Sequence, residues 1–449
     1  MSRTEAALLA LILAGYVLVA GLFAALTPPW QAPDEPAHYN YIAQIARDGC
    51  CPVIAPGDWQ ADYQAQLTRE RFAPALLGQL DTIQYEDHQP PLYYLLGSVV
   101  FRLADGSLTA LRLFSALAGA GVVLCAWGVG RALLPDCPAV RLAAAALVAF
   151  LPQHVAVLAS VNNDALAGLV VGLGLWLSVG YARGWPARPW TLGAVAGVGL
   201  LTKISTLLLL PVMALAALLR WRAGQRRPAS LARALAGLLI PALALGGVWM
   251  ARNLAVYGFP DLFGLRAHDA VVVGQLRTAD LIAQIGGGEY LRRALQTTFN
   301  SFWGQFGWMA LPLPAWIYTL IAALLLAALA GLAAAWAGRE RPPAPETRAG
   351  ALVLAAAALL AVLAYAYYNT EFVQFQGRYL YPGLIPLALA LALGLDQWGR
   401  RAAAILVRRI PRAGPPDRLN LLLTPLPFLL LAPLDVYVLL RVIAPLLAP

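Results

Sequence analysis

The sequence predicts an all-α polytopic membrane protein, and three observations predict it. Of the 449 residues, 60% are hydrophobic, against about 45–50% in a soluble domain. Only 12% are charged, about half the usual share. Several apolar runs exceed the roughly 20 residues that a bilayer-spanning helix needs. Together these exclude a soluble enzyme, a nucleic-acid-binding domain and a secreted disulfide module. The net charge of +9, from 32 basic and 23 acidic residues, reads as orientation in a bilayer and not as a nucleic-acid surface. Lys203 is the sole lysine, so nearly all of the basic surplus is arginine. The four cysteines have no metal-like spacing. Cys50 and Cys51 are adjacent, too constrained to predict a disulfide, and Cys125 lies in an apolar run.

Taken in order, the run 6–26 follows Arg3 and is too long for a signal-peptide core, so it reads as an uncleaved first span. A polar stretch, 27–90, comes next. The segment 91–103 is too short to cross comfortably and suits an interfacial helix with tyrosines at headgroup level. With that segment outside the bilayer, the arginine-rich connections 131–141, 183–188, 220–233, 339–348 and 400–418 all fall on the side of Arg3, as the positive-inside rule requires. The same rule folds 190–219 into a helical hairpin with its tip near Thr202-Lys203. About eleven transmembrane helices result, near 6–26, 108–130, 139–156, 164–182, 190–202, 204–220, 232–250, 311–336, 350–367, 381–397 and 420–443. The N-terminus is expected in the cytoplasm, with two outer loops, 27–107 and 251–310. No internal repeat of the transporter kind is visible.

Polar motifs cluster on the outer side of this threading. Pro33-Asp34-Glu35-Pro36-Ala37-His38 places two acids where Pro36 should start a helix. There the dipole keeps carboxylates ionised, as a general base requires. An N-cap role would account for one of the two acids. Asp87-His88-Gln89-Pro90-Pro91-Leu92-Tyr93-Tyr94 reads as a turn into the interfacial helix. Arg112, Lys203, Arg252 and Arg378 are cations at outer span ends, the last within Gln376-Gly377-Arg378-Tyr379, and Asn163-Asp164 opens the fourth span. Cations there are often only snorkelling, yet four of them run against the positive-inside bias, and intramembrane charges are functional candidates. The set offers cations for phosphate and acids for base work. No Walker loop, dinucleotide fingerprint, His-Glu-x-x-His or Gly-x-Ser-x-Gly is present. A phosphate-bearing substrate should therefore arrive within the membrane, as a lipid phosphate.

These residues resemble the GT-C superfamily of integral-membrane glycosyltransferases, of the protein O-mannosyltransferase and aminoarabinose-transferase type. The resemblance rests on Asp34-Glu35 with His38, on His88 to Tyr94, and on Arg112, Asn163-Asp164, Thr202-Lys203 and Gln376 to Tyr379, in family order. It implies a catalytic transmembrane module over 1–385, followed by a C-terminal transmembrane region, 386–449. The implied reaction is inverting transfer of a sugar from a polyprenyl-phosphate donor to a glycan, lipid or protein acceptor. The implied place is the periplasmic or extracellular face of a bacterial inner (plasma) membrane. Asp34 matches the family's base and Glu35 its companion. Arg112, Lys203 and Arg378 fall where relatives hold the lipid phosphate, while His38, His88, Gln89, Asn163, Asp164, Arg252, Gln376 and Tyr379 are the further candidates for substrate binding. Many relatives carry a lysine where this chain has Gln89. No cofactor is firmly implied. Asp34, Glu35, His38 and His88 also form a donor set for a divalent cation. The competing reading is a transporter that flips lipid-linked sugars, which would need polar groups near the bilayer midplane.

Overall fold

The computed structural model describes residues 1–224, 227–338, 342–410 and 414–449. Parts of three arginine-rich connections, 225–226, 339–341 and 411–413, lie outside these residues. Five helices open the chain: α1 (Arg3–Leu26), α2 (Glu35–Asp48), α3 (Ala61–Arg69), α4 (Leu92–Leu103) and α5 (Leu108–Leu133). Then come α6 (Pro138–Phe150), α7 (Pro152–Leu158), α8 (Asp164–Ala182), α9 (Pro189–Leu200), α10 (Leu209–Ala223) and α11 (Pro228–Tyr257). The short α12 (Leu265–Val271) and α13 (Thr278–Ile285) precede α14 (Gly287–Trp303), α15 (Ala315–Ala337), α16 (Pro345–Glu371) and α17 (Leu384–Arg409). Helical turns over Pro416–Leu447 form the last span.

All eleven apolar segments foreseen from sequence are helical, although they differ in length. Among the described residues nine helices are long and apolar enough to cross a membrane, and α6 with α7, bent by 63°, is long and apolar enough only as a pair. Pro152 sits at that bend, where a proline cannot continue the hydrogen-bond ladder. The eleventh segment, α9, is 12 residues long, about 18 Å at 1.5 Å per residue, and is shorter than a bilayer core. A break at Leu201–Lys203 joins it to the apolar helix Ile204–Ala223, which puts Lys203 at the turn as foreseen. The segment 91–103 forms α4, a 12-residue helix packed on α2 and α5.

Alanine-rich α6 is the axis of the bundle: every residue from Ala139 to Phe150 is buried. Small side chains allow such close helix approach where lipid supplies no hydrophobic drive. The α15–α17 seam uses the same device, because a Cβ on Gly394 would lie 1.9 Å from the Ala328 carbonyl. At the end of the bundle away from the candidate site, Arg141 grips Glu5 through two hydrogen bonds of 2.5 and 2.8 Å, and Trp127 Nε1 donates to the same carboxylate at 2.9 Å. Removing one partner of such a buried pair costs about 3–5 kcal/mol, so α1 is locked to α5 and α6.

The two chain ends lie at opposite ends of the bundle. Glu5 sits beside the connection that follows α5, since Arg141 also donates to the Pro135 carbonyl at 2.5 Å. Near the other terminus the Ala448 carbonyl accepts from Arg71, in the loop between α1 and α5, at 3.5 Å. The boundary expected at 385/386 falls inside α17. Cys50 and Cys51, for which the sequence predicts no disulfide, are joined as one.

Candidate active site

The loop between α1 and α2 makes the site by separating two neighbouring acids. Asp34 occupies the cap position of α2 with φ of +67° and makes no capping hydrogen bond, so the N-cap role is not what this acid performs. Aspartate tolerates the left-handed region better than most residues, at a cost of about 1–2 kcal/mol. The helix starts at Glu35, one residue before the position foreseen. Glu35 is fully buried and receives Arg112 on both oxygens, Nε at 2.8 Å and Nη2 at 2.6 Å, plus the backbone N–H groups of Trp30 and Val161 at 3.1 Å each. Asp34 turns the other way, into a cavity. Its Oδ1 accepts the Tyr85 hydroxyl at 2.9 Å and its Oδ2 accepts from Arg378 Nη2.

Arg378 arrives from the far part of the sequence on a 3-10 turn, Gly377–Gly383. A Cβ at residue 377 would lie 2.3 Å from the Phe302 backbone nitrogen, so only glycine lets this turn close against α14. The Gly377 N–H donates to Ser301 Oγ at 2.8 Å. Lys203 reaches Asp164 at the start of α8, 2.5 Å away.

Two cavities meet at Pro33. The first is a narrow, mostly apolar cleft walled by residues such as Ala156, Val157, Phe306, Ile443 and Leu447, with Arg112 and Arg378 as its cations. The second, about 770 Å³ including open space, holds Asp34 and Glu86 among Trp59, Tyr85, Trp308, Tyr368 and Tyr379, with Gln275, Gln374, Gln376 and His268 at its walls. Arginine and lysine are missing from that wall among the described residues. The Asp34–Arg378 pair therefore spans the junction, one partner facing each cavity.

The electrostatics follow from burial and partners. Burial alone would raise the Asp34 carboxyl, but the Arg378 guanidinium and the hydrogen bonds from Arg378 and Tyr85 outweigh it and hold the group below the ordinary carboxylate value. Burial lowers the His38 imidazole, opposed by Glu86 and Asp34, which leaves it neutral at pH 7. His88 is pushed down to about 3 by burial and by His268, whose ring lies 4.5 Å away.

The structure thus gathers Asp34, Gln376, Arg378 and Tyr379 at the cavities and engages most of the other candidates elsewhere. Glu35, expected as the companion of Asp34, has both oxygens held by Arg112 in a solvent-free position, so it holds a cation and does not face the cavity. Arg112 has no spare donor for phosphate: besides Glu35 it serves the carbonyls of Ala24, Thr27 and Pro28. Arg252 clamps the loop at Cys51 and Pro52, donating to their carbonyls at 3.3 and 2.5 Å, and stacks on Trp249. His38, Gln89 and Asn163 meet at Tyr94 in a buried polar knot, with His38 Nδ1 2.9 Å and Asn163 Nδ2 3.2 Å from the Tyr94 hydroxyl and Gln89 Oε1 3.4 Å from Asn163 Nδ2. His88 Nδ1 lies 3.2 Å from the Tyr85 carbonyl. Among the described residues no three His, Cys, Asp or Glu side chains converge on a shared metal position, so Asp34, Glu35, His38 and His88 are not brought together as a donor set.

Sequence reasoning missed Tyr85, Glu86, Trp59, Trp308, Tyr368 and His268. Glu86 was visible next to Asp87-His88, but nothing local marked it as cavity-lining.

The comparisons with known proteins agree with this architecture. A family model of dolichyl-phosphate-mannose-protein mannosyltransferases matches residues 88–245. The chain is similar in structure to ArnT from Cupriavidus metallidurans bound to undecaprenyl phosphate, with a TM-score of 0.51 at 15% identity, over 99% of this chain and 74% of that one. Against the apo state of the same protein the TM-score is 0.53 at 15% identity, over 98% and 73% of the two chains. No curated protein matches in sequence. The likeness is one of fold: over nearly its whole length the chain has the fold of ArnT, the GT-C fold that the motif order suggested.

Proposed function

We propose that the protein is an inverting glycosyltransferase that moves a sugar from a polyprenyl-phosphate donor to an acceptor hydroxyl on a glycan, lipid or protein. One observation carries this reading: an ionised carboxylate and an arginine meet where an apolar cavity adjoins a polar, aromatic one. The apolar cavity suits a lipid chain ending in a phosphate, and the undecaprenyl phosphate bound to ArnT supports that class of carrier. The aromatic cavity suits sugar rings, whose C–H faces pack on indole and phenol.

In this mechanism Asp34 accepts the acceptor's hydroxyl proton while the oxygen attacks C1 of the donor sugar. The C1–O bond to phosphate breaks, its electron pair stays with the phosphate, and the configuration at C1 inverts. Arg378 stabilises the departing phosphate, with Lys203 as a second cation nearby. A phosphate ester leaves without protonation, so one base suffices. The proposed setting is the outer face of a bacterial inner membrane. The arginine-rich connections support this, since Arg183 and Arg220 meet the carbonyls of Leu133 and Trp185 at the end opposite the site. The charged groups stand at helix ends, whereas a flippase needs them near the midplane.

A screen of purified protein with radiolabelled polyprenyl-phosphate sugars tests the reading. Transfer of label to an acceptor, lost in Asp34→Asn, is expected. Turnover of a donor undiminished in Asp34→Asn would overturn it.

A further inference from the structure

Neither oxygen of the candidate base lacks a partner. Tyr85 holds Oδ1 and Arg378 holds Oδ2. Both partners are buried, Arg378 at 8% exposed, and they differ in what surrounds them. Tyr85 is 5% exposed and packs edge-on against Trp59, ring centres 5.1 Å apart. Arg378 lines the apolar cavity, and its Nε is buried without any hydrogen-bond partner. Arg112, the other cation of that cavity, has every nitrogen engaged. An anion entering the apolar cavity therefore meets one arginine with a donor to spare, and that arginine is the one restraining Asp34.

We propose that the phosphate of the lipid donor draws Arg378 off Asp34, so that the base is released only when the donor is in place, while Tyr85 keeps the carboxylate in position. This rests on the reading of the apolar cavity as the donor site. A phosphate offers more charge and more acceptor oxygens than one carboxylate oxygen, and arginine's planar fork pairs with it bidentately. The lipid can shift the equilibrium only by binding the released state better, and the unpartnered Nε supplies that preference. Of the neighbouring charges, Lys203 is committed to Asp164, while His38, hydrogen-bonded to Tyr94, still bears on Asp34 and retains part of the lowering once Arg378 has left. The consequence is order. Without the donor, the base stays neutralised and does not activate water.

Carbodiimide labelling of Asp34 in the full-length protein, read by peptide mass spectrometry, tests this. Undecaprenyl phosphate should speed labelling about tenfold for each pKa unit the carboxyl regains, and undecaprenol, which lacks the phosphate, should not. Arg378→Gln should label fast with or without lipid. Lipid binding is measured in the same samples by native mass spectrometry. Bound undecaprenyl phosphate with unchanged or slower labelling overturns the release and leaves the donor site standing. Absence of binding overturns the donor site and the release with it. Equal acceleration by undecaprenol, or slow labelling of Arg378→Gln, also overturns the release.

Discussion

Arg112 and Glu35, 77 residues apart in sequence, form a two-point ion pair that is closed to solvent. The pair ties the first turn of α2 to α5, and the Val161 N–H extends the tie to the segment before α8. Its work is to fix the backbone from which Asp34 projects.

Removing either partner strands the other charge in the core, which costs about 3–5 kcal/mol. Arg112→Ala and Glu35→Gln should both lower the thermal unfolding temperature in detergent. Activity per folded molecule should fall far less in Glu35→Gln than in Asp34→Asn. An intact unfolding temperature with abolished turnover in Glu35→Gln would return Glu35 to the chemistry.

Asp34→Asn keeps the shape and removes the proton acceptor, so turnover should drop about 10²–10⁴-fold with donor binding near normal. The native carboxyl titrates below its ordinary value. It therefore stays ionised at neutral pH in the donor-free protein, and kcat/KM, which reports the free enzyme, should be flat from about pH 6 to 8, with an acid limb below about pH 4. The ion pair's stability contribution has the same sign: present above the unfolded carboxyl pKa, lost as pH falls through the folded one. A kcat/KM profile with its acid limb near neutrality would contradict this.

How far the sequence carried the site depends on what each residue needed from its neighbours. The eleven apolar segments, the turn at Lys203 and the acid at 34 were legible, because hydrophobic length, arginine placement and proline-bounded helix starts are local properties. The order Gln376-Gly377-Arg378 was legible as a motif, but its physical reason, the approach of residue 377 to Phe302, was not. Pairing was the hidden part. Arg112, Arg252 and Arg378 look alike as cations at span ends, and only packing decides which one keeps a free donor. Tyr85 and Trp308 carry no local mark of the cavity that joins them across more than 200 residues of chain.

Asp87 offers a pH test of the loop that carries the site. Burial pushes its carboxyl up to about 8, although Gln44 Nε2 donates to both oxygens at 3.1 and 2.9 Å. A raised folded pKa means that the unfolded chain ionises first, so stability is lost as pH rises from about 4 to 8. Asp87→Asn should be more stable than the native protein, by a margin that widens over that range and levels above it. Thermal unfolding across pH checks this. A constant margin would show that the carboxyl is ionised in the fold.

The proposed orientation predicts labelling by a membrane-impermeant thiol reagent in a cysteine-free background. Single cysteines at 60, 280 and 375 should react in intact cells, and one at 345 only after lysis. Labelling at 345 from outside would put the site on the cytoplasmic face.

Tyr85 should act on rate and pH without touching affinity for the donor lipid, because it contacts Asp34 and lines the aromatic cavity, not the apolar one. Its hydroxyl donates to Asp34 Oδ1, and that bond is one of the influences that lower the carboxyl's pKa. Tyr85→Phe removes the donor and keeps the ring against Trp59. Asp34 then loses a restraint on its rotamer, and its pKa rises. Three readouts follow: kcat falls, KM for the donor holds, and the acid limb of the rate profile moves to higher pH. A ring serving only to fill space would leave the limb in place. A rise in donor KM with kcat unchanged would mean that Tyr85 belongs to the donor site, and the division of labour between the two cavities would have to be redrawn.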